Sequence, residues 1–191
     1  MKSVVKKALG AWLALMLVAA AVIGVRANAA LRVGETAPDF TAQATLGGKQ
    51  FTFTLSEALK HGPVVLYFYP KAFTKGCTEE AHDFAEATER YRAYGATVIG
   101  VSGDSMDVLD KFSVSECQSK FAVIADPDRK IMIAYDSVLV PTTSIANRTS
   151  YVITPDDRII YYYTALDPDK HVEYTLNAIG NWRAAHPAAA K

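Results

Sequence analysis

The chain has 191 residues, with 20 basic and 20 acidic side chains and four histidines, so it is neutral as a whole. It carries no basic stripe and no clustered arginine run, which excludes nucleic acid as its natural partner on electrostatic grounds. The length suits one domain with a sizeable core, and neither repeats nor low-complexity stretches divide it.

Residues 1–29 read as a targeting segment. Lys2, Lys6 and Lys7 form a positive start, Ala8–Val25 is apolar, and Ala27-Asn28-Ala29 offers an A-x-A cleavage site before Ala30. The alternative is an uncleaved membrane anchor, since the apolar run approaches the length that spans a bilayer. No cysteine lies near the cleavage point and no arginine pair precedes it, so neither lipid anchoring nor the twin-arginine route fits. Cleavage removes Lys2, Lys6, Lys7 and Arg26 but no acid, leaving a chain with four net negative charges. The expected location is outside the cytoplasm, in a bacterial periplasm or secreted, with membrane attachment only if the segment is retained. Residues 30–191 are expected to form a single domain.

Arg32–Thr54 alternates around Gly47-Gly48 and predicts a β-hairpin. Leu55–Lys60 gives one or two helical turns, ended by Gly62-Pro63. Val64–Tyr69 is a short apolar run rich in β-branched and aromatic residues, stopped by Pro70, and reads as a strand buried on both faces. After the loop Lys71–Gly76, apolar or small residues recur at 77, 81, 84, 85 and 88, with Tyr91 next. Glu79, Glu80, Asp83, Glu89 and Arg90 are assigned to the solvated side of this amphipathic helix, which ends near Gly95. Thr74 is its expected N-cap, with its hydroxyl directed into the turn that contains Cys77.

Thr97–Val101 predicts a second buried strand, and Asp104 or Ser105 caps a helix that turns Val108, Leu109 and Phe112 inward. Phe121–Ala125 is a third strand closed by Asp126-Pro127, and Lys130–Tyr135 is a short helix. Tyr151–Ile153 and Ile159–Thr164 flank the turn Thr154–Asp157 as a second hairpin. Asp169–Arg183 closes the chain as a helix with Val172, Leu176, Ile179 and Trp182 on one side. Strands joined through helices run parallel and hairpin strands antiparallel, so the sheet is mixed. The expected class is α/β, a three-layer α/β/α sandwich with an N-terminal β-hairpin.

Cys77 sits at the start of a helix that follows a buried strand, where unpaired backbone N–H groups favour an anion. The thiolate is the nucleophile, and a free cysteine is only about 3% ionised at pH 7. Lowering a cysteine pKa from ~8.5 to roughly 6 takes about 3.4 kcal/mol of anion stabilisation, more than the ~0.3–2 kcal/mol of a helix N-terminus. A nearby cation is therefore required.

The segment from Pro70 to Cys77, Pro-Lys-Ala-Phe-Thr-Lys-Gly-Cys, carries a P-x-x-x-T-x-x-C pattern and resembles the signature of the peroxiredoxins. VVLYFYPK followed by GCTEEA is most similar to their bacterioferritin-comigratory (PrxQ) branch. Val33–Phe40, Val101–Ser105, Ala125–Pro127 and Asn147–Ile153 resemble further landmarks of the family, in order, across nearly all of residues 30–191. The resemblance implies a thioredoxin-like fold and reduction of hydrogen peroxide or organic hydroperoxides. It assigns Cys77 as the peroxidatic residue, Arg148 as the required cation, Thr74 as the group that orients peroxide, and Pro70 as a shield from water. Without it, Arg148 reads as half of a surface ion pair, Thr74 as a helix cap and Pro70 as a strand terminator.

Many members of the branch place a second cysteine five residues after the first, where this chain has His82, read here as a polar helix-face residue. The resemblance leaves Cys117, on the second major helix, as the expected resolving residue. Two alternatives stay open: a one-cysteine peroxidase resolved by an external thiol, or an exported module without turnover. In the latter a structural Cys77–Cys117 bridge would stabilise the fold by ~4 kcal/mol in the chain-entropy model. A thiol–disulfide oxidoreductase lacks its C-x-x-C motif. No metal or organic cofactor is expected, since His61, His82, His171 and His186 show no ligand spacing and no phosphate-binding glycine loop occurs. The implied partners are a hydroperoxide and a thioredoxin-like or other dithiol reductant, and the implied state is a monomer.

Overall fold

The computed structural model describes residues 30–187, so the targeting reading of residues 1–29 lies outside the described residues. Seven strands form one sheet: β1 (Thr41–Leu46), β2 (Lys49–Thr54), β3 (Val64–Phe68), β4 (Thr97–Ser102), β5 (Ala122–Ala125), β6 (Thr149–Ile153) and β7 (Ile159–Thr164). Among the described residues five helices flank it: α1 (Leu55–Leu59), α2 (Lys75–Ala93), α3 (Met106–Ser115), α4 (Lys130–Ala134) and α5 (His171–Ala185). The strand order is β2-β1-β5-β4-β3-β6-β7.

β3, β4 and β5, which are joined through helices, pair in parallel. The hairpins β1–β2 and β6–β7 are antiparallel, and they extend the sheet through antiparallel pairs with β5 and β3. The mixed α/β/α sandwich expected from the sequence is therefore the observed fold. Helix α5 begins at His171, two residues later than expected, within the ordinary scatter of helix ends.

Every residue of β3 is buried, and its alternation feeds both core layers. Val64, Leu66 and Phe68 join Leu55, Leu59, Ile131, Met132 and Tyr151 on the α1/α4 face. Val65, Tyr67 and Tyr69 join Phe84, Tyr91, Leu109, Phe112, Leu176 and Ile179 on the α2/α3/α5 face. Cys77 and Cys117 both lie in this second layer. Gly100 makes room there for the ring of Tyr67, since a Cβ at that position would lie 2.8 Å from Cζ. Among the described residues no helix is long and apolar enough to cross a membrane.

Candidate active site

The site forms where the buried strand hands over to α2. After Tyr69, whose N–H donates to the Val101 carbonyl at 3.1 Å, the half-buried Pro70 ends the strand and opens a loop. Asp104 fixes that loop: its carboxylate accepts the Ala72 N–H at 2.8 Å and the Ser102 hydroxyl at 2.9 Å. The cap expected of Asp104 or Ser105 is thus not made by either side chain. Ser105 holds the N-cap position of α3 without a side-chain bond, and Asp104 is spent on the loop. Phe73 takes a left-handed backbone, φ +63°, a conformation costing an L-residue about 1–2 kcal/mol. Thr74 then returns to extended geometry as the N-cap residue of α2.

The Thr74 carbonyl accepts the first helical bond, from the Thr78 N–H at 2.9 Å. The N–H groups of Lys75, Gly76 and Cys77 therefore precede the first donor of the helix, the Thr78 N–H, and remain open at its positive end. The Thr74 side chain does not behave as expected. Its hydroxyl donates to the Lys71 carbonyl at 2.9 Å, on the exposed face of the loop, and makes no cap bond. It ties the loop together instead of reaching into the Cys77 turn.

Cys77, only 2% exposed, meets the cation that the electrostatic argument demanded. Arg148 is buried just before β6, and its Nη2 lies 3.4 Å from the Cys77 sulfur. Its Nε donates to the Leu166 carbonyl at 2.8 Å and its Nη1 to Glu80 Oε2. Burial works against the guanidinium charge, but Glu80 and then Cys77 raise it further, so Arg148 stays a cation. Gly76 permits this close approach: a Cβ there would sit 3.2 Å from Nη2.

Glu80 corrects the sequence reading. It was assigned to the solvated helix face with Glu79, yet its exposure is 0% and it lies directly behind Arg148. Burial pushes its carboxyl up to about 8, although Arg148 pulls the other way. Behind it stands His171, also fully buried, with Nδ1 3.6 Å from Glu80 Oε1 and 2.8 Å from the Ser150 hydroxyl. Burial holds His171 down to about 4 against the opposing bond to the Ala165 carbonyl. Spacing could have revealed Glu80, since it stands three residues from Cys77 and so shares its face. His171 gave no local signal; it lies one and two turns before the buried Thr175 and Ile179.

Both cysteines are free in this structure. Cys117 follows the end of α3 and is completely buried, which pushes its thiol well above the usual cysteine range, with Glu116 adding to the effect. His82, the residue in the branch's usual second-cysteine position, bonds across to Glu116 at 2.9 Å, next to Cys117. Among the described residues no group of three or more His, Cys, Asp or Glu side chains could hold a metal ion.

Residues 33–162 match the model of the AhpC/TSA family. The chain belongs to that family. Its curated relatives place it among the peroxiredoxins of the Q/bcp type. It is 33% identical over 149 residues to peroxiredoxin Q, chloroplastic, of Triticum aestivum, covering 78% of this chain and 66% of the wheat protein. The putative peroxiredoxin bcp of Helicobacter pylori strain J99 is 39% identical over 105 residues, 55% of this chain and 66% of that one. Among solved structures, PrxQ of Xylella fastidiosa, as a cysteine-to-serine mutant, superposes with a TM-score of 0.72 at 26% identity. That match covers 81% of this peroxiredoxin and 98% of the Xylella chain. Peroxidoxin BcpB of Mycobacterium tuberculosis gives a TM-score of 0.73 at 25% identity, covering 79% and 97%.

Proposed function

We propose that the protein is a thiol-dependent peroxidase that reduces hydroperoxides at Cys77. The observation that carries this reading is the guanidinium of Arg148 at 3.4 Å from a sulfur set in the first turn of a helix. The thiolate attacks the terminal oxygen of R–O–O–H, so an S–O bond forms and the O–O bond breaks. Sulfur gives up two electrons and becomes a sulfenic acid, and the departing R–O⁻ takes a proton to leave as ROH. Arg148 and the open N–H groups of the α2 terminus are preorganised for the charge that moves onto oxygen. Thr74 contributes by fixing the loop through Lys71 and presenting its hydroxyl oxygen on the open side, and Pro70 limits water at the sulfur. Peroxiredoxins require no metal or organic cofactor, and none enters this reaction.

Resolution is assigned to Cys117. Its thiol condenses with the sulfenic acid, forming the S–S bond and releasing water, and an external dithiol returns both sulfurs to thiols. Cys117 shares the core layer of Cys77, and the two residues after it, Gln118 and Ser119, both hold left-handed backbone at φ 51° and 55°. Opening this segment releases about 1–2 kcal/mol of strain at each position, which favours the local unfolding the disulfide needs. The complete burial of Cys117 favours a second reading, in which an external thiol resolves Cys77 directly.

Peroxide titration followed by intact-mass analysis separates these readings. One equivalent should remove two hydrogens from the wild type, and Cys117→Ser should instead accumulate sulfenic acid. Stable sulfenic acid in the wild type would assign resolution to an external thiol. Peroxide consumption that persists in Cys77→Ser would sink the peroxidase reading. For location, export with cleavage before Ala30 is tested by N-terminal sequencing of the protein from cell fractions. A monomer is expected in solution and is read by light scattering.

A further inference from the structure

The turn Gly47-Gly48 does more than reverse the chain between β1 and β2. Both glycines hold left-handed backbone, at φ 58° and 75°, as a two-residue hairpin turn demands. The same turn is packed onto α3 and onto the segment that carries Cys117. A Cβ on Gly47 would lie 3.0 Å from Ser119 Oγ, and one on Gly48 would lie 3.3 Å from Val114 Cγ2. Asparagine also suits the first position of such a turn, so the backbone alone does not call for glycine at 47. Contact with Ser119 does.

Hydrogen bonds fasten this contact. The Gly47 N–H donates to Ser113 Oγ at 2.7 Å, and the Gln50 side-chain amide donates to Asp110 Oδ2 at 2.8 Å. Ser113 is fully buried and is held from both sides. Its hydroxyl donates to the Thr45 carbonyl at 3.4 Å, while its own carbonyl accepts the Ser119 N–H at 2.9 Å. The turn that holds Cys117 is thus tied through Ser113 and Ser119 to a hairpin at the edge of the sheet. Two other polar ties reach the segment, His82 to Glu116 at 2.9 Å and Arg92 Nη2 to the Lys120 carbonyl at 3.3 Å, both from α2 at exposed or half-exposed positions. The hairpin supplies the buried one.

The seam is also imperfect. Thr45 Oγ1 and Asp110 Oδ1 are buried in it with no hydrogen-bond partner among the described residues, and Gln118 and Ser119 hold left-handed backbone. Opening hydrates the two oxygens and relaxes the backbone, which offsets part of what the hydrogen bonds contribute. We propose that the β1–β2 turn is a clasp on the Cys117 segment, with Gly47 and Ser113 as positioning residues, and that its release governs how often Cys117 leaves the core. Its effect on turnover rests on the assignment of Cys117 as the resolving residue. While Cys117 stays clasped, Cys77 waits as sulfenic acid, and a second hydroperoxide can transfer its terminal oxygen to that sulfur, giving sulfinic acid and ROH.

Alkylation of Cys117 by iodoacetamide in the reduced full-length Cys77→Ser chain, read by intact mass, tests the clasp without peroxide. The reagent reaches a fully buried sulfur only when the segment opens, so the rate reports that opening. In this background Ser113→Ala, which removes the acceptor for Gly47, should raise the rate about fivefold. Gly47→Asn keeps the turn but drives a side chain against Ser119, and should raise it at least as much. Gln50→Ala, an exposed change, should raise it about twofold. Thr52→Ala breaks the Gln43–Thr52 bond of the same hairpin away from the seam and should leave it unchanged. Below the unfolding transition all these rates should depend far less on urea than global unfolding does. Rates that do not rise in Ser113→Ala and Gln50→Ala, an equal rise in Thr52→Ala, or the full urea dependence of global unfolding overturns the proposal. If Ser113→Ala or Gly47→Asn fails to fold, Gln50→Ala against Thr52→Ala decides.

Peroxide then separates the clasp from the resolving assignment. With Cys77 restored, Ser113→Ala should form the Cys77–Cys117 disulfide about fivefold faster and accumulate less sulfinic acid at high peroxide, while sulfenic acid forms at the wild-type rate. Faster alkylation with no Cys77–Cys117 disulfide in any chain would sink Cys117 as the resolving residue and support the clasp. Faster alkylation with an unchanged disulfide rate overturns its control of turnover.

Discussion

Gly76→Ala separates activity from stability by sign. The new Cβ would lie 3.2 Å from Arg148 Nη2 and 4.0 Å from Pro168 Cδ. A relaxed contact of this kind needs ~3.5 Å, so something must give by about 0.3 Å. Arg148 is pinned by the Leu166 carbonyl at 2.8 Å and by Glu80, which leaves the 3.4 Å contact to Cys77 as the soft one. At an effective dielectric of ~20, stretching that contact to ~3.7 Å costs about 0.4 kcal/mol of Coulomb energy, a factor of ~2. The charge-assisted hydrogen bond to sulfur, worth ~1.5–3 kcal/mol when complete, is weakened but not lost, which adds about 1 kcal/mol. A fall of about tenfold in kcat/KM for peroxide is expected. Meanwhile alanine favours the helix over glycine by up to ~1 kcal/mol, so Tm should hold or rise by a few degrees. Stopped-flow peroxide kinetics beside thermal melts read both. Unchanged kcat/KM at a higher Tm would refute the geometric argument, and so would a loss of activity matched by a loss of Tm.

Arg148→Lys keeps the charge but cannot reach Cys77, Glu80 and the Leu166 carbonyl together, so peroxide reduction should fall by at least about tenfold in the same stopped-flow assay. Glu116→Gln weakens the tie from His82 to the Cys117 segment; an exposed pair of this kind is worth ~0–1 kcal/mol, so Cys77–Cys117 disulfide formation should accelerate up to about fivefold by quenched-flow mass analysis. The Glu80–His171 pair should give a characteristic stability profile. Between pH 4.5 and 6.5, the ordinary values of the two groups, folded and unfolded chains each hold one proton on the pair, so it contributes no slope. From pH 6.5 to about 8 only the folded chain holds it, and roughly 2 kcal/mol is lost. The urea midpoint should therefore be lower at pH 8.5 than at pH 6 in the wild type, and Glu80→Gln, left with His171 alone, should lose that fall and rise slightly instead.

The fold was legible because its signals are local and agree with one another. The Val64–Tyr69 run, the 3.6-residue stripe after Cys77 and the breakers at Gly62-Pro63 and Asp126-Pro127 each name an element, and the connections dictate which strands run parallel. The site was legible only in its covalent and charged poles. Cys77 is marked by its place at a strand-to-helix junction, while Arg148, 71 residues away in sequence, was reached through resemblance alone. Glu80 was misread because a carboxylate on an amphipathic helix normally belongs to water. What overrides that rule is Arg148, delivered just before β6; the spacing from Cys77 puts Glu80 on the inner face but does not name that partner. Thr74 shows the same limit at shorter range. Its cap position was readable, but the strained backbone at Phe73 brings the Lys71 carbonyl within reach and takes the hydroxyl away.

The two halves of the proposed cycle make opposite demands on one core layer. Attack on peroxide needs Cys77 enclosed, because the Arg148 charge is screened least where water is excluded. Resolution needs Cys117, now fully buried, to approach within disulfide range, which requires Cα atoms about 7 Å apart or less. A rigid layer could satisfy only the first. The structure concentrates its give at the two places where the second must begin. Phe73 holds a left-handed backbone four residues before Cys77, and Gln118 and Ser119 do so immediately after Cys117. Between these regions the polar tie is a half-exposed His82–Glu116 contact, beside the Phe73–Phe112 ring contact at 5.2 Å and the shared apolar layer. The groups that must not move have no such slack: Arg148, Glu80 and His171 are buried and bonded to β6, to α2 and to the segment that ends β7. In the proposed cycle the cysteine segments are therefore the parts that would have to move, while Arg148 and its partners stay in place.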